Sequence, residues 1–182
     1  MEEKERIKHY NENVNHTTPI DGNVLINLFR EFTFKPGDVC IDLGCGNGKV
    51  TNLIKEMFGV DIIGVDYSAF RVAHAKTRYK DISFIQADII EFLARSVQSH
   101  CDMYDFMFLF EVLEHTENPK AVLDAAVKWL SGTGSIIGSI PINMPYKTHV
   151  QVWKTAEDFL AIDSRLKELF KTKNVLIWSM QY

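Results

Sequence analysis

Apolar residues follow two alternating rhythms along this chain. Short unbroken apolar runs predict strands: Val39–Leu43, Asp61–Asp66, Ile82–Asp88, Tyr104–Glu111, Gly134–Pro141 and Asn174–Met180. Between them, apolar residues recur every three or four positions and predict helices. One carries Val50, Leu53, Ile54, Met57 and Phe58; others run from Ser68 to Lys80, from Ile89 to Ser96, onward from Pro119, and over Thr155 to Lys171. Asp21 is placed to cap an earlier helix with Val24, Leu25, Leu28, Phe29 and Phe32 on one side. "FKPGD", Phe34 to Asp38, reads as a turn. Strands that alternate with helices, and are apolar throughout rather than at every second residue, point to a parallel sheet covered on both faces. The expected fold is α/β: a doubly wound, mostly parallel sheet in three α/β/α layers. Residues 1–182 read as one domain, with 1–33 as an N-terminal helical cap or lid in which Tyr10 packs inward. Sheets of this kind bind ligands just beyond the carboxyl ends of their strands, so the residues that follow each strand carry the chemistry.

Composition narrows the classes. The chain has 182 residues, 46% hydrophobic and 24% charged, as an ordinary globular domain does. Its formal net charge of −4 argues against a protein that tracks phosphate backbones. Lys and Arg cluster only locally, at Arg71 to Lys80 and Arg165 to Lys173, as solvated faces do. Cys40, Cys45 and Cys101 are odd in number and form no CxxC pair, so neither a disulfide framework nor a cysteine zinc site is indicated. The polar start and the lack of any run of about 20 apolar residues point to a cytoplasmic protein without a membrane span.

The first predicted strand breaks into Gly44-Cys45-Gly46-Asn47-Gly48, with Asp42 just before. Glycines there permit a tight strand-to-helix turn and let a ligand lie on the backbone, where free N–H groups attract an anion. Asp66 ends the second strand at the distance from the turn, roughly 20 residues, that suits hydrogen bonds to ribose hydroxyls. Asp88 ends the third and can accept from an adenine amine. Each feature alone also reads as a plain turn or a helix cap. Three in succession are much harder to obtain by chance.

"VCIDLGCGNG", "IIGVDYS", "ISFIQADI" and "YDFMFLFEVLEH" resemble, in order, four motifs of the class I S-adenosylmethionine-dependent methyltransferases. "FEVLEH" followed by "NP" is similar to the small-molecule subgroup that includes the ubiquinone-pathway O-methyltransferases. The resemblance implies S-adenosyl-L-methionine as cofactor and S-adenosyl-L-homocysteine as product. It implies that Gly44, Cys45, Gly46, Asn47 and Gly48 hold the methionine part while Asp42 orients that loop. Asp66 would take the ribose hydroxyls and Tyr67 the adenine face; Asp88 would accept from the adenine amine and Ile89 pack the ring's other side. Phe110 and Glu111 would close the site beside the methyl group. The family sheet ends in a seventh, antiparallel strand. This sequence leaves room for one strand after the last predicted helix, so a shortened C-terminal strand pair is expected.

Methyl transfer needs an acceptor held in line, and a base when the acceptor is a hydroxyl. His115, with Glu111, stands right after the fourth strand, and His149 lies in the long connection after the fifth. These three are the candidate catalytic residues, His115 the base. The expected acceptor is the O or N atom of a small molecule, with no metal, and the chain a monomer or homodimer. One alternative treats Glu111, Glu114, His115 and His149 as metal ligands, an arrangement that resembles the small-RNA 3′-end 2′-O-methyltransferases. Another is a non-catalytic binding module on the same fold, and a third a nicotinamide dehydrogenase, which would want a longer glycine fingerprint.

Overall fold

The computed structural model describes residues 20–94, 103–172 and 174–181. Predicted features at Tyr10, Ser96 and Cys101 lie outside them, as does the first part of the expected lid. The elements are α1 (Gly22–Glu31), β1 (Val39–Leu43), α2 (Lys49–Phe58), β2 (Asp61–Asp66), α3 (Ala69–Arg78), β3 (Ser83–Gln86), α4 (Ile89–Ala94), β4 (Tyr104–Phe110), α5 (Pro119–Val127), β5 (Leu130–Pro141), α6 (Ala156–Leu160), β6 (Leu166–Lys171) and β7 (Val175–Gln181). One seven-stranded sheet has the order β3-β2-β1-β4-β5-β7-β6. β1 to β5 are parallel, and β7 runs antiparallel to both β5 and β6.

Local chemistry starts these elements where the sequence predicts. The Asp21 carboxylate accepts from the N–H groups of Asn23 and Val24, and Asn118 caps α5 through Ala121 N–H ahead of Pro119. Ser68 caps α3. β4 shows why its run is apolar throughout. Met107 and Leu109 enter a core with Ile41, Leu43, Leu123 and Trp178, whereas Phe106, Phe108 and Phe110 face Leu25, Leu28, Ile54 and Phe58 of α1 and α2. A central strand buried on both faces has no polar side to show.

Sequence order reverses between β1 and β4. Successive strands run outward from β1 to β3 on one side, and β4 and β5 continue on the other. The ends of β1, β2 and β4 therefore open together at the switch point, where the sheet leaves a crevice.

The C-terminal part corrects two expectations. Thr155 to Lys171 is not one long helix: α6 stops at Leu160, and Leu166–Lys171 is strand β6. The C-terminal strand pair is thus present rather than shortened, with β6 and β7 paired from Leu166↔Met180 to Lys171↔Leu176. Two causes explain the misreading. A register shift between Glu168 and Phe170 interrupts the strict alternation of β6, so Leu166, Leu169 and Phe170 fall at spacings that mimic a helix. The Asp163 carboxylate also accepts from Arg165 N–H at 2.9 Å, a local bond that competes with helix continuation. Arg165 Nη2 bridges from Asp163 to Asp124 of α5 at 2.6 and 2.7 Å and fastens that turn to the sheet's helical cover. The Arg165 guanidinium holds the Asp163 carboxyl well below the usual carboxylate range.

Candidate active site

The glycine turn is shaped by its own backbone and by Asp66. Gly44 N–H and Cys45 N–H both donate to the Val65 carbonyl, at 2.7 and 3.0 Å, and Gly46 N–H donates to Asp66 Oδ2 at 2.9 Å. Gly44 (φ +85°) and Gly46 (φ +55°) hold left-handed backbone that favours glycine. At Gly44 a Cβ would also run into Val112 Cγ2, so the missing side chain lets the β1 turn touch the turn after β4.

Beneath this turn sits Asp42, 2% exposed, accepting from Thr51 Oγ1 at 2.6 Å. Burial pushes its carboxyl up to about 7; the Thr51 hydrogen bond opposes the shift and the charge of Asp66 adds to it. Asp66 is also raised by burial, against the N–H groups of Ser68 and Gly46 and the nearby Arg71 guanidinium, which all favour its ionised form.

A cleft of about 250 Å³ opens at the switch point. Gly44, Asp66 and Tyr67 line it from β1 and β2, Asp88 and Ile89 from beyond β3, and Glu111 and His115 from beyond β4. Asp88 Oδ1 accepts from the N–H groups of Ile90 and Glu91, so it caps α4 while facing the cleft. The remaining candidates stand back. Cys45 is buried against Val72, Ala75 and Phe84, where burial holds its thiol well above the usual range. Asn47 accepts from Lys49 N–H at the start of α2, and Phe110 packs beside Phe108 in the core under α1 and α2. Sequence reasoning passed over Arg71, Val112 and Thr148, which also line the cleft. Arg71 stands in the first turn after the second acidic strand end, a position that a motif-based reading can include; Thr148 carries no local signal.

The β4 end holds the densest chemistry. Glu111 adopts φ +57°, uncommon for a residue with a side chain. Its N–H donates to Ser139, and its Oε1 accepts from Ser139 Oγ at 2.9 Å. Burial raises the Glu111 carboxyl, and the Ser139 bond opposes that shift. Glu114 is fully buried in the short turn Leu113–His115, and neither of its carboxylate oxygens accepts a hydrogen bond among the described residues. Burial first, and then the charge of Glu111, raises its carboxyl. His115 Nδ1 lies 3.0 Å from the Thr148 carbonyl, and His149 Nδ1 lies 2.9 Å from the Met144 carbonyl. A carbonyl can only accept, so both rings carry hydrogen on Nδ1. The rings meet edge-on with centroids 5.0 Å apart. His149 thus comes to His115 although it does not line the cleft.

The residues suit a cationic nucleotide-like ligand. Carboxylates at or beyond the ends of β2, β3 and β4 line the cleft, Asp42 lies buried beneath the glycine turn, and burial pushes Asp42, Asp66 and Glu111 toward their neutral forms. A positive ligand would offset that cost. Asp66 keeps spare lone pairs beyond its two backbone bonds.

A family profile described as "Methyltransferase domain" matches residues 34–176. The chain is 24% identical over 153 residues to the ubiquinone biosynthesis O-methyltransferase of Glaesserella parasuis serovar 5, covering 80% of this chain and 64% of that protein. It is 28% identical over 122 residues to the trans-aconitate 2-methyltransferase of Rhizobium rhizogenes, covering 66% and 45%. The chain therefore spans less than two thirds of the length of these relatives. Among solved structures, Haemonchus contortus phosphoethanolamine N-methyltransferase 2 in complex with S-adenosyl-L-methionine shares the fold, with a TM-score of 0.72, 13% identity, and coverage of 97% and 56%. In the described residues no helix is long and apolar enough to cross a membrane.

Proposed function

This chain belongs to the class I S-adenosylmethionine-dependent methyltransferases, and from that premise we propose that it moves a methyl group to an oxygen or nitrogen atom of a small-molecule acceptor. The cofactor of the family is S-adenosyl-L-methionine, which when bound supplies an electrophilic methyl group on a cationic sulfur. The observation that carries the reading is the meeting of Gly44, Asp66, Asp88 and Glu111 in one cleft at the switch point. Relatives named as an O-methyltransferase of ubiquinone biosynthesis and as a phosphoethanolamine N-methyltransferase support a small acceptor and leave the accepting atom open.

In this reading the backbone of Gly44 to Gly48 holds the amino-acid part of the cofactor, and Asp42 stiffens that turn through Thr51. Asp66 accepts from the ribose hydroxyls with its spare lone pairs. Tyr67 and Ile89 lie on the adenine faces, and Asp88 accepts from its amine. His115 is the base: its Nε2 lone pair takes the proton that a hydroxyl or ammonium acceptor loses, while its Nδ1–H stays on the Thr148 carbonyl. The arrangement needs little further covalent help, because alignment in a closed site already supplies much of the acceleration.

Calorimetry with S-adenosyl-L-methionine and a screen of hydroxyl and amine acceptors for S-adenosyl-L-homocysteine release test this. Asp66→Ala is expected to weaken cofactor binding about ten- to a hundredfold, the value of hydrogen bonds to a charged acceptor at roughly 1.5–3 kcal/mol. Equal affinity in a folded variant removes Asp66 from the ribose role, and a wild-type protein that binds no cofactor removes the whole reading.

A further inference from the structure

We propose that Ser139 is a positioning residue that fixes the Glu111 carboxylate beside the glycine turn, and that this carboxylate tilts binding toward S-adenosyl-L-methionine and away from S-adenosyl-L-homocysteine. The inference rests on the methyl-transfer reading for the identity of the two ligands. They differ by one methyl group and by the positive charge on sulfur. Contacts to adenine and ribose are common to both. Only a charged group near the sulfur end can tell them apart electrostatically.

Glu111 stands where such a group belongs. It lines the cleft, and its neighbour Val112 touches the glycine turn, since a Cβ on Gly44 would run into Val112 Cγ2. The backbone of Gly44 to Gly48 holds the amino-acid part of the cofactor in the proposed function, so Glu111 borders that end. The other carboxylates that line the cleft are Asp66, which ends β2, and Asp88, which follows β3; both belong to the ribose and adenine side. Asp66 is also offset by the Arg71 guanidinium, whose Nη1 lies 3.5 Å from the position of a Cβ on Gly46. Asp42 lies beneath the turn and is committed to Thr51, and Glu114 is fully buried outside the cleft.

Ser139 is fully buried in β5, in register with Phe110 at the end of β4. Glu111 N–H donates to both the carbonyl and the Oγ of Ser139 at 3.1 Å, and the hydroxyl donates to Glu111 Oε1 at 2.9 Å. One hydroxyl thus ties the Glu111 backbone to its own carboxylate. The tie acts on a residue at φ +57°, a conformation that persists for a residue with a side chain where the surroundings over-determine it. It occupies Oε1 and leaves the lone pairs of Oε2 for a ligand.

The same bond sustains the charge. Burial pushes the Glu111 carboxyl toward its neutral form, and the Ser139 hydroxyl favours the ionised form and opposes that shift. Ser139 does not line the cleft, so it acts on a ligand only through Glu111. Its hydroxyl keeps the charge present and in place. Loss of the methyl group leaves a neutral sulfur, and the attraction to Glu111 ends with the charge.

The test is calorimetry of both ligands with the wild type, Glu111→Gln, Ser139→Ala, Ser139→Thr and the double variant of Glu111→Gln with Ser139→Ala. Glu111→Gln removes the charge and keeps an oxygen for Ser139. It should lower S-adenosyl-L-methionine affinity about tenfold and leave S-adenosyl-L-homocysteine within about threefold, which also shows that the cleft is intact. Ser139→Ala should shift the ratio of the two affinities in the same direction by at least about threefold, and should shift it no further when Glu111→Gln is already present. Ser139→Thr keeps the hydroxyl and should retain the wild-type ratio. A merely structural serine would instead weaken both ligands alike in either background. An unchanged ratio in Glu111→Gln overturns the role of Glu111. A Ser139→Ala effect that is equal for both ligands or persists in the double variant, or a lost ratio in Ser139→Thr, overturns the role of Ser139. Each of these leaves the methyl-transfer reading standing while the wild type binds the cofactor; a wild type that binds neither ligand removes both.

Discussion

Asp42 is the residue whose environment speaks most directly to solution behaviour. It is buried under the glycine turn with Thr51 as its hydrogen-bond donor, and its folded carboxyl is pushed up to about 7. An unfolded aspartate titrates near 3.9. Between these values the native state holds a proton that the unfolded chain has released. The contribution of this proton to stability is complete below about pH 4 and is lost as the pH rises through about 7, on the order of 4 kcal/mol over the window. Asp42→Asn keeps an oxygen for Thr51 and cannot ionise. Urea unfolding of the cofactor-free variant should therefore show a shallower decline in stability between pH 5 and 8 than the wild type. Parallel curves would mean that Asp42 is ionised in the native state. The acid itself was legible in the sequence, since it precedes the glycines. Thr51 was not, because a threonine in the first turn of a helix carries no mark of the carboxylate it meets.

At the scale of elements, the pairing of β5 with β7 depends on a residue without a side chain. Gly138 is the register partner of Trp178, and a Cβ there would run into Trp178 Cζ2. Trp178 is fully buried, tilted against Phe159 with ring centroids 5.4 Å apart, and cannot swing into solvent. Gly138→Ala should therefore destabilise by about 1–3 kcal/mol through overpacking, read as a lower urea midpoint at constant slope. Adding Trp178→Leu should recover part of the loss attributable to the clash. If Gly138→Ala is neutral, the sheet yields more easily than this contact implies. β6, at the sheet edge, shows the opposite relation between sequence and structure. It alternates Lys167 and Lys171 with partly buried apolar residues, charges that discourage edge-to-edge pairing, but its shifted register made it look helical.

Among the described residues, the carboxylates Asp66, Asp88 and Glu111 line one crevice, while the core is apolar on both sides of the sheet. A ligand that binds there stabilises the whole fold by mass action. At a hundred times its dissociation constant, S-adenosyl-L-methionine should add about 2.7 kcal/mol. For a domain of this size that corresponds to a rise in Tm of roughly 5–11 °C. Differential scanning fluorimetry with cofactor and with ATP as a control measures it; an equal rise with both, or none with the cofactor, would contradict a cleft built for a cationic nucleoside.

The sequence by itself determined what neighbours along the chain decide. β1 and β2 are apolar runs ended by turn residues, α1 and α5 begin at their caps, and the turn from Gly44 to Gly48 needs glycine where the backbone is left-handed. Backbone conformation, capping and periodicity are local properties, so a local pattern reveals them. The tertiary structure alone decided which distant residues meet. Glu111 finds Ser139 from 28 positions away and His115 finds Thr148 from 33, and Glu114, His115 and His149 come together only because the loops after β4 and β5 lie side by side. The same holds for β7 entering between β5 and β6, which turned a predicted last helix into the edge of the sheet. A helix-like spacing of three apolar residues costs nothing to a strand with a shifted register. Only the bonds offered by a neighbouring strand chose between them.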